Sequence, residues 1–508
     1  MKKPRFSPAG VLILLFFLFL LSLNLFFHRI GDYGAETNFY GLYAPQAQSI
    51  LQGQLPVGDY HGPAYPLLLA LAYLVFGNFL TAGIFLSTAA AALTLFLALR
   101  LLRRVLDPKM AAMAAALLAL NPVFIQHSYS AGSDMLFVLL VTLCLYLLLR
   151  SDDFSWSSLV LAALATALAY LTRYNGIAIV AAAFVIILII NHWRLPLKKR
   201  LLAFIAFAAL FLACITPWGV HCLKQKGSFF FNQNYKTAAC ELYAQGRVTY
   251  EQFWFDKQTL GIDSFAAVLT YDPIRLIKRL GANLARHFVR DMRSLLGWPV
   301  AVFVLIGFAN LIVQRPTKLQ YGFYAYSFLF FCVLLFVLYD PRYSIFLLLC
   351  YSALAMNGLQ LAGRALKRPW LETGLAVVLV TWTALASFAF NRDTIASGPR
   401  EVAKAAAWYQ RNVPPGERGK IMLARKPHLP YHTGMEFRML PLAESPADLE
   451  DKLRQLPGDF LFISPIEVFY RGNLKGLLEP KNAPGSFIPV YQDDDPPAVL
   501  YRIRRDRP

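Results

Sequence analysis

Ionisable residues at the ends of long apolar runs are the first candidates for chemistry in this sequence. Asp134 begins the run 134–150, and the pairs Arg173–Tyr174 and Arg342–Tyr343 stand at the start of two others. Charged side chains at such positions are costly to desolvate and usually have a function. Two structural explanations stay open. A carboxylate at a helix start interacts favourably with the helix dipole, and an arginine can extend its side chain to a membrane surface.

The segment 29–78, which separates the first two apolar runs, 9–28 and 79–101, is rich in carboxylates and aromatic residues. Glu36 and Asp59 lie in it, and His61 follows in the sequence Asp-Tyr-His-Gly-Pro, either as a structural loop histidine or as a substrate contact. An apolar stripe at helical spacing predicts an amphipathic helix that is too short to span and lies on the membrane surface. The stripe contains Tyr40, Tyr43, Ala47, Ile50 and Leu51. A second short apolar helix is predicted over 64–76.

Apolar runs close to the roughly 17–25 residues that cross a bilayer must position these side chains. They lie near 9–28, 79–101, 110–127, 134–150, 156–172, 174–191, 200–218, 297–314, 320–339, 342–362 and 371–390. The chain has 508 residues, of which 57% are hydrophobic and 16% are charged. Soluble domains have roughly 45–50% apolar and about 25% charged residues. The composition therefore indicates a polytopic α-helical membrane protein with about eleven transmembrane helices.

Basic residues fall between the apolar runs, in every second loop. The net charge is +19, but it is spread over these loops, so no nucleic-acid partner is expected. Lys and Arg concentrate in short cytoplasmic loops, which places the N-terminus in the cytoplasm. An odd number of spans then places the loop 29–78, which is called the first external loop below, outside the cytoplasm. The loop 219–296 and the C-terminal tail lie on the same side.

The tail has a different pattern from the rest of the chain. Residues 400–413 read as an amphipathic helix, and strand-like runs follow at 420–424, 459–464 and 499–503. This alternation predicts a small α/β domain. The predicted organisation is a transmembrane domain over 1–390 and a soluble extracytoplasmic domain over 391–508.

Cysteine and histidine usage adds little chemistry. Cys222 and Cys240 both lie in the loop 219–296, where an oxidising compartment would allow a disulfide, although two free thiols are equally compatible. No His/Cys cluster has the spacing of metal ligands, and no glycine-rich phosphate motif occurs. We expect neither a metal nor a cofactor.

The order of these features resembles that of the GT-C glycosyltransferases. In the first external loop an acidic residue and the aromatic pair Phe39–Tyr40 precede Gly53-Gln-Leu-Pro56 and a proline-rich apolar run. Further features follow in the family's order: Asp134, Arg173–Tyr174, Thr216–Pro217–Trp218, Arg342–Tyr343 and a soluble C-terminal domain. The chain is most similar to the protein O-mannosyltransferase and lipid A aminoarabinose transferase type, including bacterial family 39-like members.

The resemblance implies an activity and a location. Enzymes of this family transfer a sugar from a polyprenyl-phosphate donor to a glycan, lipid or protein acceptor, with inversion of the anomeric centre. The chain is then expected to be a glycosyltransferase at the outer face of the bacterial cytoplasmic (inner) membrane, where membrane lipids are its other partners.

The resemblance also implies a general base in the first external loop. A carboxylate there takes the proton of the acceptor hydroxyl, which is otherwise a poor nucleophile. The family pattern places an Asp directly before Phe39–Tyr40, but this sequence has Asn38, whose amide is not a usable base. Glu36 is the nearest carboxylate and the predicted base, with Asp32 and Asp59 as further candidates. The competing interpretation is that Asn38 marks a catalytically impaired member.

Donor binding is expected at the two Arg–Tyr pairs. The leaving group is a lipid phosphate, which a guanidinium binds through two parallel hydrogen bonds. Arg173 and Arg342 are therefore the predicted phosphate ligands. Lys426 is a further candidate, although the sequence around it favours a solvated loop. The predicted substrate contacts are Tyr40, Tyr43, Asp59, His61, Tyr174 and Tyr343, and Asp134 is assigned to the sugar site.

The main alternative is a transporter or flippase. Such proteins often contain internal repeats and helices broken near the bilayer midplane. The sequence shows no such repeat, and its polar positions gather at the outer ends of the apolar runs. This distribution favours glycosyl transfer.

Overall fold

The computed structural model describes residues 8–28, 30–245, 250–255 and 260–504. They form two compact units. The first unit comprises Met1–Phe27, Ala47–Ala244 and Leu260–Arg392, and the second comprises His28–Gln46, Gln245–Thr259 and Asp393–Pro508. The loop 29–78 thus contributes to both units.

The first unit is built from helices. Its N-terminal half contains α1 (Pro8–Phe26), α2 (Ala44–Leu51, which begins in the second unit), α3 (Ala64–Phe76), α4 (Phe79–Val105), α5 (Pro108–Ala119), α6 (Pro122–Tyr129), α7 (Asp134–Leu149), α8 (Trp156–Thr172) and α9 (Ala178–Phe184). The chain continues with α10 (Leu197–Lys226), α11 (Asn234–Ala239), α12 (Tyr250–Phe255, in the second unit), α13 (Phe265–Thr270), α14 (Pro273–Arg290), α15 (Trp298–Val313), α16 (Lys318–Leu334), α17 (Leu348–Ala365) and α18 (Pro369–Ala396). Short 3₁₀ and π turns join them at Phe39–Tyr43, Tyr174–Ile177, Val185–Ile190, Cys240–Ala244, Asp291–Leu296 and Pro341–Leu347.

Four helical segments in the described part of the chain are long and apolar enough to cross a membrane. They are Phe79–Val105, Leu197–Lys226, Pro341–Ala365 and Trp370–Asn412. The bent pair α5 and α6 would make a fifth, and six more apolar helices have 10–17 residues. Each predicted run is occupied by helix, but the count of eleven spans stays a prediction.

The run 110–127 differs most from its prediction, since it is two helices joined at an angle of 60°. Asn121 causes the break. Its side chain accepts hydrogen bonds from the backbone N–H groups of Val123 and Phe124 at 3.0 and 3.1 Å. Pro122 then occupies the first turn of α6, where a missing N–H costs nothing.

The surface helix predicted in the first external loop is only partly correct. The turn Phe39–Tyr43 leads into α2, and Gly53, with a φ of 81°, follows its end. However, Tyr40, Tyr43 and Ala47 are buried inside the protein. The aromatic stripe therefore packs against protein rather than against the membrane, because Tyr40 finds partners in the second unit.

The second unit contains a mixed five-stranded sheet in the order β2-β1-β3-β5-β4. Its elements are α19 (Arg400–Asn412), β1 (Ile421–Ala424), α20 (His428–Thr433), β2 (Glu436–Met439), α21 (Pro446–Gln455), β3 (Phe460–Ile463), α22 (Pro465–Tyr470), β4 (Phe487–Asp494) and β5 (Pro497–Ile503). Strand β1 is parallel to β2 and β3, whereas β5 is antiparallel to β3 and β4. Apolar clusters cover both faces of the sheet.

The three predicted strand-like runs correspond to β1, β3 and β5, and the edge strands β2 and β4 were not predicted. All four residues of β3 are buried, as expected for a central strand with a continuous apolar sequence. Cys222 and Cys240 are free thiols in the structure, so the disulfide left open by the sequence is not formed.

Candidate active site

An ion pair joins the ends of two neighbouring helices in the first unit. Asp134 is the first residue of α7, and Arg173 directly follows α8; its Nη1 donates to Oδ1 of Asp134. The Asp134 and Arg173 side chains are only 11% and 20% exposed. His127 of α6 lies on the other side of the carboxylate, with Nδ1 at 3.8 Å from Oδ2. The carboxylate thus has a cationic partner and is more than a helix cap.

Close backbone packing sets the position of Arg173. A 3₁₀ turn, Tyr174–Ile177, follows it, and a Cβ on Gly176 would lie 2.6 Å from the backbone nitrogen of Tyr170. A Cβ on Gly62 would lie 2.3 Å from the carbonyl oxygen of Leu171. Both contacts require glycine, since side-chain atoms would overlap the backbone. They hold the loop around residue 62 against the end of α8.

Arg342 lies beside the same ion pair. Its guanidinium is 4.9 Å from the centre of the Tyr343 ring, and that of Arg173 is 5.4 Å from the same ring. Nη2 of Arg342 donates to the Tyr343 hydroxyl at 3.1 Å, and Nε lies 3.1 Å from Oδ2 of Asp340. Arg342 also interacts electrostatically with Asp134. The two predicted phosphate ligands are therefore brought together on one aromatic ring.

His61 and Asp59 extend this cluster. His61 is buried, with Nδ1 at 3.0 Å from the carbonyl oxygen of Gly62. Burial lowers the pKa of His61, Arg173 lowers it further, and the Gly62 carbonyl and Asp59 act in the opposite direction. His61 is therefore neutral at physiological pH. Asp59 is half-buried, and its backbone carbonyl accepts from the N–H of Gln233 at 2.6 Å.

Tyr174 belongs to an aromatic cluster behind Arg173. Its hydroxyl accepts from Nε1 of Trp218 at 3.2 Å, and its ring lies 5.2 Å from that of Tyr170. Phe229, Phe230 and Phe231 close this cluster. The Tyr174 hydroxyl is thus engaged within the protein, which favours a structural role over the predicted substrate contact.

The second unit contains the predicted base. Glu36 is 0% exposed and its Oε1 lies 3.5 Å from Nε2 of His28. It interacts with the Tyr40 hydroxyl, which in turn accepts from the Gly31 N–H at 3.0 Å. Asn38, in contrast, is exposed. The side chain at this exposed position is an amide, and the nearest carboxylate, that of Glu36, is buried.

Tyr40 is enclosed by aromatic rings of α20. The rings of His428 and Tyr431 each lie 4.7 Å from it, and that of His432 lies 5.4 Å away. Tyr43 is also buried. Both tyrosines therefore pack within the protein. Neither exposes a surface to the predicted substrate in this conformation.

Lys426 lies next to the segment that carries Glu36. Its Nζ donates to Oγ1 of Thr37 at 3.3 Å and lies 5.5 Å from the centre of the Tyr470 ring. It is half-buried rather than solvated. The contacts of Lys426 thus differ from those of the solvated loop that was the alternative.

An ion cluster in the second unit was not predicted. The buried Glu251 of α12 is held by Arg425, through Nε and Nη2, and by Arg471, whose Nη2 is 3.1 Å from Oε2. The carboxyl of Glu467 accepts from the Arg425 N–H at 2.9 Å, and burial raises its pKa to about 7. These residues are scattered in the sequence, so spacing gives no signal for them.

A metal site is not apparent in the described residues. Within 8–28, 30–245, 250–255 and 260–504, no group of three or more His, Cys, Asp or Glu side chains is arranged to hold a metal ion.

The protein is a helical membrane protein, because its helices are long and apolar. Its polar site lies at the helix ends, where carboxylate and guanidinium groups cluster. Residues 60–221 match the family model of the dolichyl-phosphate-mannose-protein mannosyltransferases. A comparison with curated protein sequences gave no match.

Solved structures similar to this chain are GT-C glycosyltransferases. ArnT from Cupriavidus metallidurans bound to undecaprenyl phosphate is 14% identical; the match covers 97% of this chain and 98% of that one, with a TM-score of 0.62. AglB from Archaeoglobus fulgidus, in complex with an inhibitory peptide and a dolichol-phosphate, is 14% identical over 91% of this chain and 70% of its own, with a TM-score of 0.57. The chain therefore has the GT-C fold, as the sequence resemblance predicted.

Proposed function

We propose that this chain is a glycosyltransferase that takes a sugar from a polyprenyl-phosphate donor and transfers it to a glycan, lipid or protein acceptor. The observation that carries the proposal is the convergence of Arg173 and Arg342 on Tyr343, beside Asp134. A pair of guanidinium groups is suited to a phosphate leaving group, because each presents a planar array of donors. The matched family and the folds of ArnT and AglB, the latter two with polyprenyl phosphates bound, support the same chemistry.

The proposed roles follow from the contacts. Arg173 and Arg342 bind the donor phosphate and stabilise the charge that develops on it as the anomeric C–O bond breaks. Asp134 holds Arg173 in place and contributes to the sugar site. Lys426 is proposed as a further phosphate or acceptor contact. His61 and Tyr343, which adjoin the guanidinium groups, are proposed to contact the sugar.

Glu36 is the proposed general base. In a single inverting displacement the acceptor oxygen attacks the anomeric carbon, its proton passes to the Glu36 carboxylate, and polyprenyl phosphate leaves. The carboxylate is buried against His28 and Tyr40, so it must become accessible in the complex with substrates. Catalytic contacts often form only in such complexes. Asp59, which is half-buried, is the alternative base.

A second candidate function is lipid binding without catalysis. The exposed amide of Asn38, at the position where the family pattern has a carboxylate, favours it. A chain of this kind would keep the two guanidinium groups for the phosphate and would lack a base. Donor binding without transfer is its expected behaviour.

We propose the outer face of the bacterial cytoplasmic membrane as the site of action. The alternation of basic loops supports it, because it places the C-terminal tail and the loops 29–78 and 219–296 outside the cytoplasm. Residues 1–390 are the proposed transmembrane glycosyltransferase domain, and 391–508 are the proposed extracytoplasmic domain.

A transfer assay tests the proposal. Purified full-length protein in phospholipid vesicles is incubated with a panel of radiolabelled undecaprenyl-phosphate sugars and an extract of cell-envelope acceptors. Label moving from the lipid to an acceptor, with inverted anomeric configuration, is the expected result. Binding of the donors without release of label in any combination would support the second candidate, and absence of donor binding would overturn both.

A further inference from the structure

Helix α14 (Pro273–Arg290) buries the polar residues Asn283 and His287 together with Leu276, whereas several of its large apolar residues are exposed. Asn283 is fully buried and donates to the carbonyl oxygen of Leu335 at 2.8 Å, and Arg286 donates to Glu241 at 3.2 Å. On the outer face, Ile274 and Ile277 are 70% and 71% exposed. A helix on a water-exposed surface has the opposite arrangement.

The same outer face continues beyond these two isoleucines. Leu284 and Val289 are exposed on α14, as are Phe265 and Leu269 on the preceding helix α13. Several large apolar side chains exposed on two consecutive helices mark a contact with a membrane or a partner. The charged residues of α14 keep it out of the set of candidate spans, so the face is not explained by a helix that crosses the bilayer.

Basic side chains flank the apolar face. Lys278 of the helix is exposed, and so is Arg293 just beyond it. The helix itself contains no acidic residue. The positive charge of the helix therefore complements a negatively charged surface. This charge narrows the choice of partner, because an apolar face alone would fit many partners.

The chain next to α14 indicates its level relative to the bilayer. The apolar helix α15 begins shortly afterwards at Trp298, whose side chain is 54% exposed. Tryptophan is enriched at membrane–water interfaces. A helix that ends only a few residues before Trp298 is therefore expected near the level of the headgroups.

We propose that α14 lies in the membrane–water interface, with Ile274 and Ile277 in the acyl region and Lys278 and Arg293 bound to anionic phospholipid headgroups. Interfacial helices combine an apolar face at the depth of the acyl chains with basic residues that attract anionic lipid. The inverted polarity of α14 and its basic flank satisfy both conditions. The inference concerns the membrane and is independent of the proposed enzymatic activity.

A photo-crosslinking experiment tests this placement. The full-length protein, carrying a photo-reactive amino acid at position 277, is reconstituted into vesicles of equal amounts of phosphatidylglycerol and phosphatidylcholine. Position 411 on the exposed surface of α19 serves as a control site. After irradiation, mass spectrometry identifies the adducts. We expect lipid adducts at 277 with phosphatidylglycerol in excess, and no lipid adducts at 411.

A charge-matched pair of variants tests the headgroup preference. Lys278→Gln with Arg293→Gln should reduce the ratio of phosphatidylglycerol to phosphatidylcholine adducts by up to about five-fold for each charge removed. Lys198→Gln with Lys199→Gln, which removes two exposed charges elsewhere, should leave it unchanged. Adducts to protein alone, equal labelling of the two lipids in the unsubstituted chain, or the same ratio in both double variants would each overturn the proposal.

Discussion

Replacing Arg173 by lysine is the sharpest test of the proposed donor site. Nη1 of Arg173 donates to Asp134, and the guanidinium lies 5.9 Å from the centre of the Phe137 ring and 5.4 Å from that of Tyr343. Arg173→Lys keeps the positive charge but removes the planar fork. The single ammonium group of a lysine can hydrogen-bond either to Asp134 or to a donor phosphate, but it cannot reproduce both contacts of the guanidinium group.

The size of the effect follows from the contacts that are lost. A hydrogen bond to a charged group contributes about 1.5–3 kcal/mol. The Arg173 side chain is 20% exposed and that of Asp134 is 11% exposed, so water compensates little of the loss. If one charged hydrogen bond to the phosphate is lost, the Kd for the donor should rise by roughly 10–150-fold. Arg342→Lys should have an effect of the same order.

Equilibrium binding of a labelled polyprenyl phosphate to the protein in vesicles measures this change. Arg104→Lys is the matched control, because Arg104 also pairs with an aspartate, Asp152, at 2.7 Å, but the side chains are 32% and 74% exposed. Exposed pairs contribute about 0–1 kcal/mol, and this pair lies away from the site residues, so donor affinity should not change. Unchanged affinity in both Arg173→Lys and Arg342→Lys would refute the phosphate role and leave interaction with the membrane surface as the explanation.

Three further predictions concern the base, a buried carboxyl and the topology. Glu36→Gln should keep donor binding and lower the transfer rate by roughly 10²–10⁴-fold; Asn38→Asp should change little, unless the chain has lost its base, in which case activity appears. Burial raises the pKa of Asp291 to about 6, so the folded state binds the proton more tightly than the unfolded chain. Thermal stability should therefore fall from about pH 4 to about pH 6, and Asp291→Asn should weaken this dependence; a pH profile identical to that of the unsubstituted protein would contradict the assignment. Reporter fusions after residues 105, 197 and 395 should report inside, inside and outside, and a cytoplasmic signal at 395 would exclude an odd number of spans.

The sequence was informative about the guanidinium site because its members stand at the ends of apolar runs. Asp134, Arg173 and Arg342 were predicted from this position together with the resemblance to the GT-C glycosyltransferases, and the structure brings them together. Their other partners gave no comparable signal. His127 is the last residue of the run 110–127, but nothing in the sequence pairs it with Asp134, and Asp340 reads as a turn residue before Pro341. Both become recognisable only after the helices are packed.

The pattern of apolar residues was less informative where an apolar face can be covered either by lipid or by another part of the protein. The stripe of Tyr40, Tyr43 and Ala47 has the spacing of a surface helix, but its partners lie far away in the sequence. Tyr40 packs on His428 and Tyr431, which follow the first external loop by several hundred residues. Hydrophobic spacing identifies a face that must be buried and does not say whether lipid or protein covers it.

The position of the general base could not be predicted from the sequence either, because Glu36 and Asn38 differ in burial. In the sequence, Glu36 is two positions from Asn38 and is the nearest carboxylate that could replace a missing one. In helical geometry, with 3.6 residues per turn, side chains two positions apart point about 160° from each other. The structure agrees with this divergence, since Glu36 is 0% exposed and Asn38 is exposed. A carboxylate at 36 therefore cannot act from the place that one at 38 would occupy. If Glu36 is the base, the acceptor must reach it from the side of His28 and Tyr40, and a carboxylate introduced at 38 cannot substitute for it. Activity of the Glu36→Gln, Asn38→Asp double variant would contradict this argument.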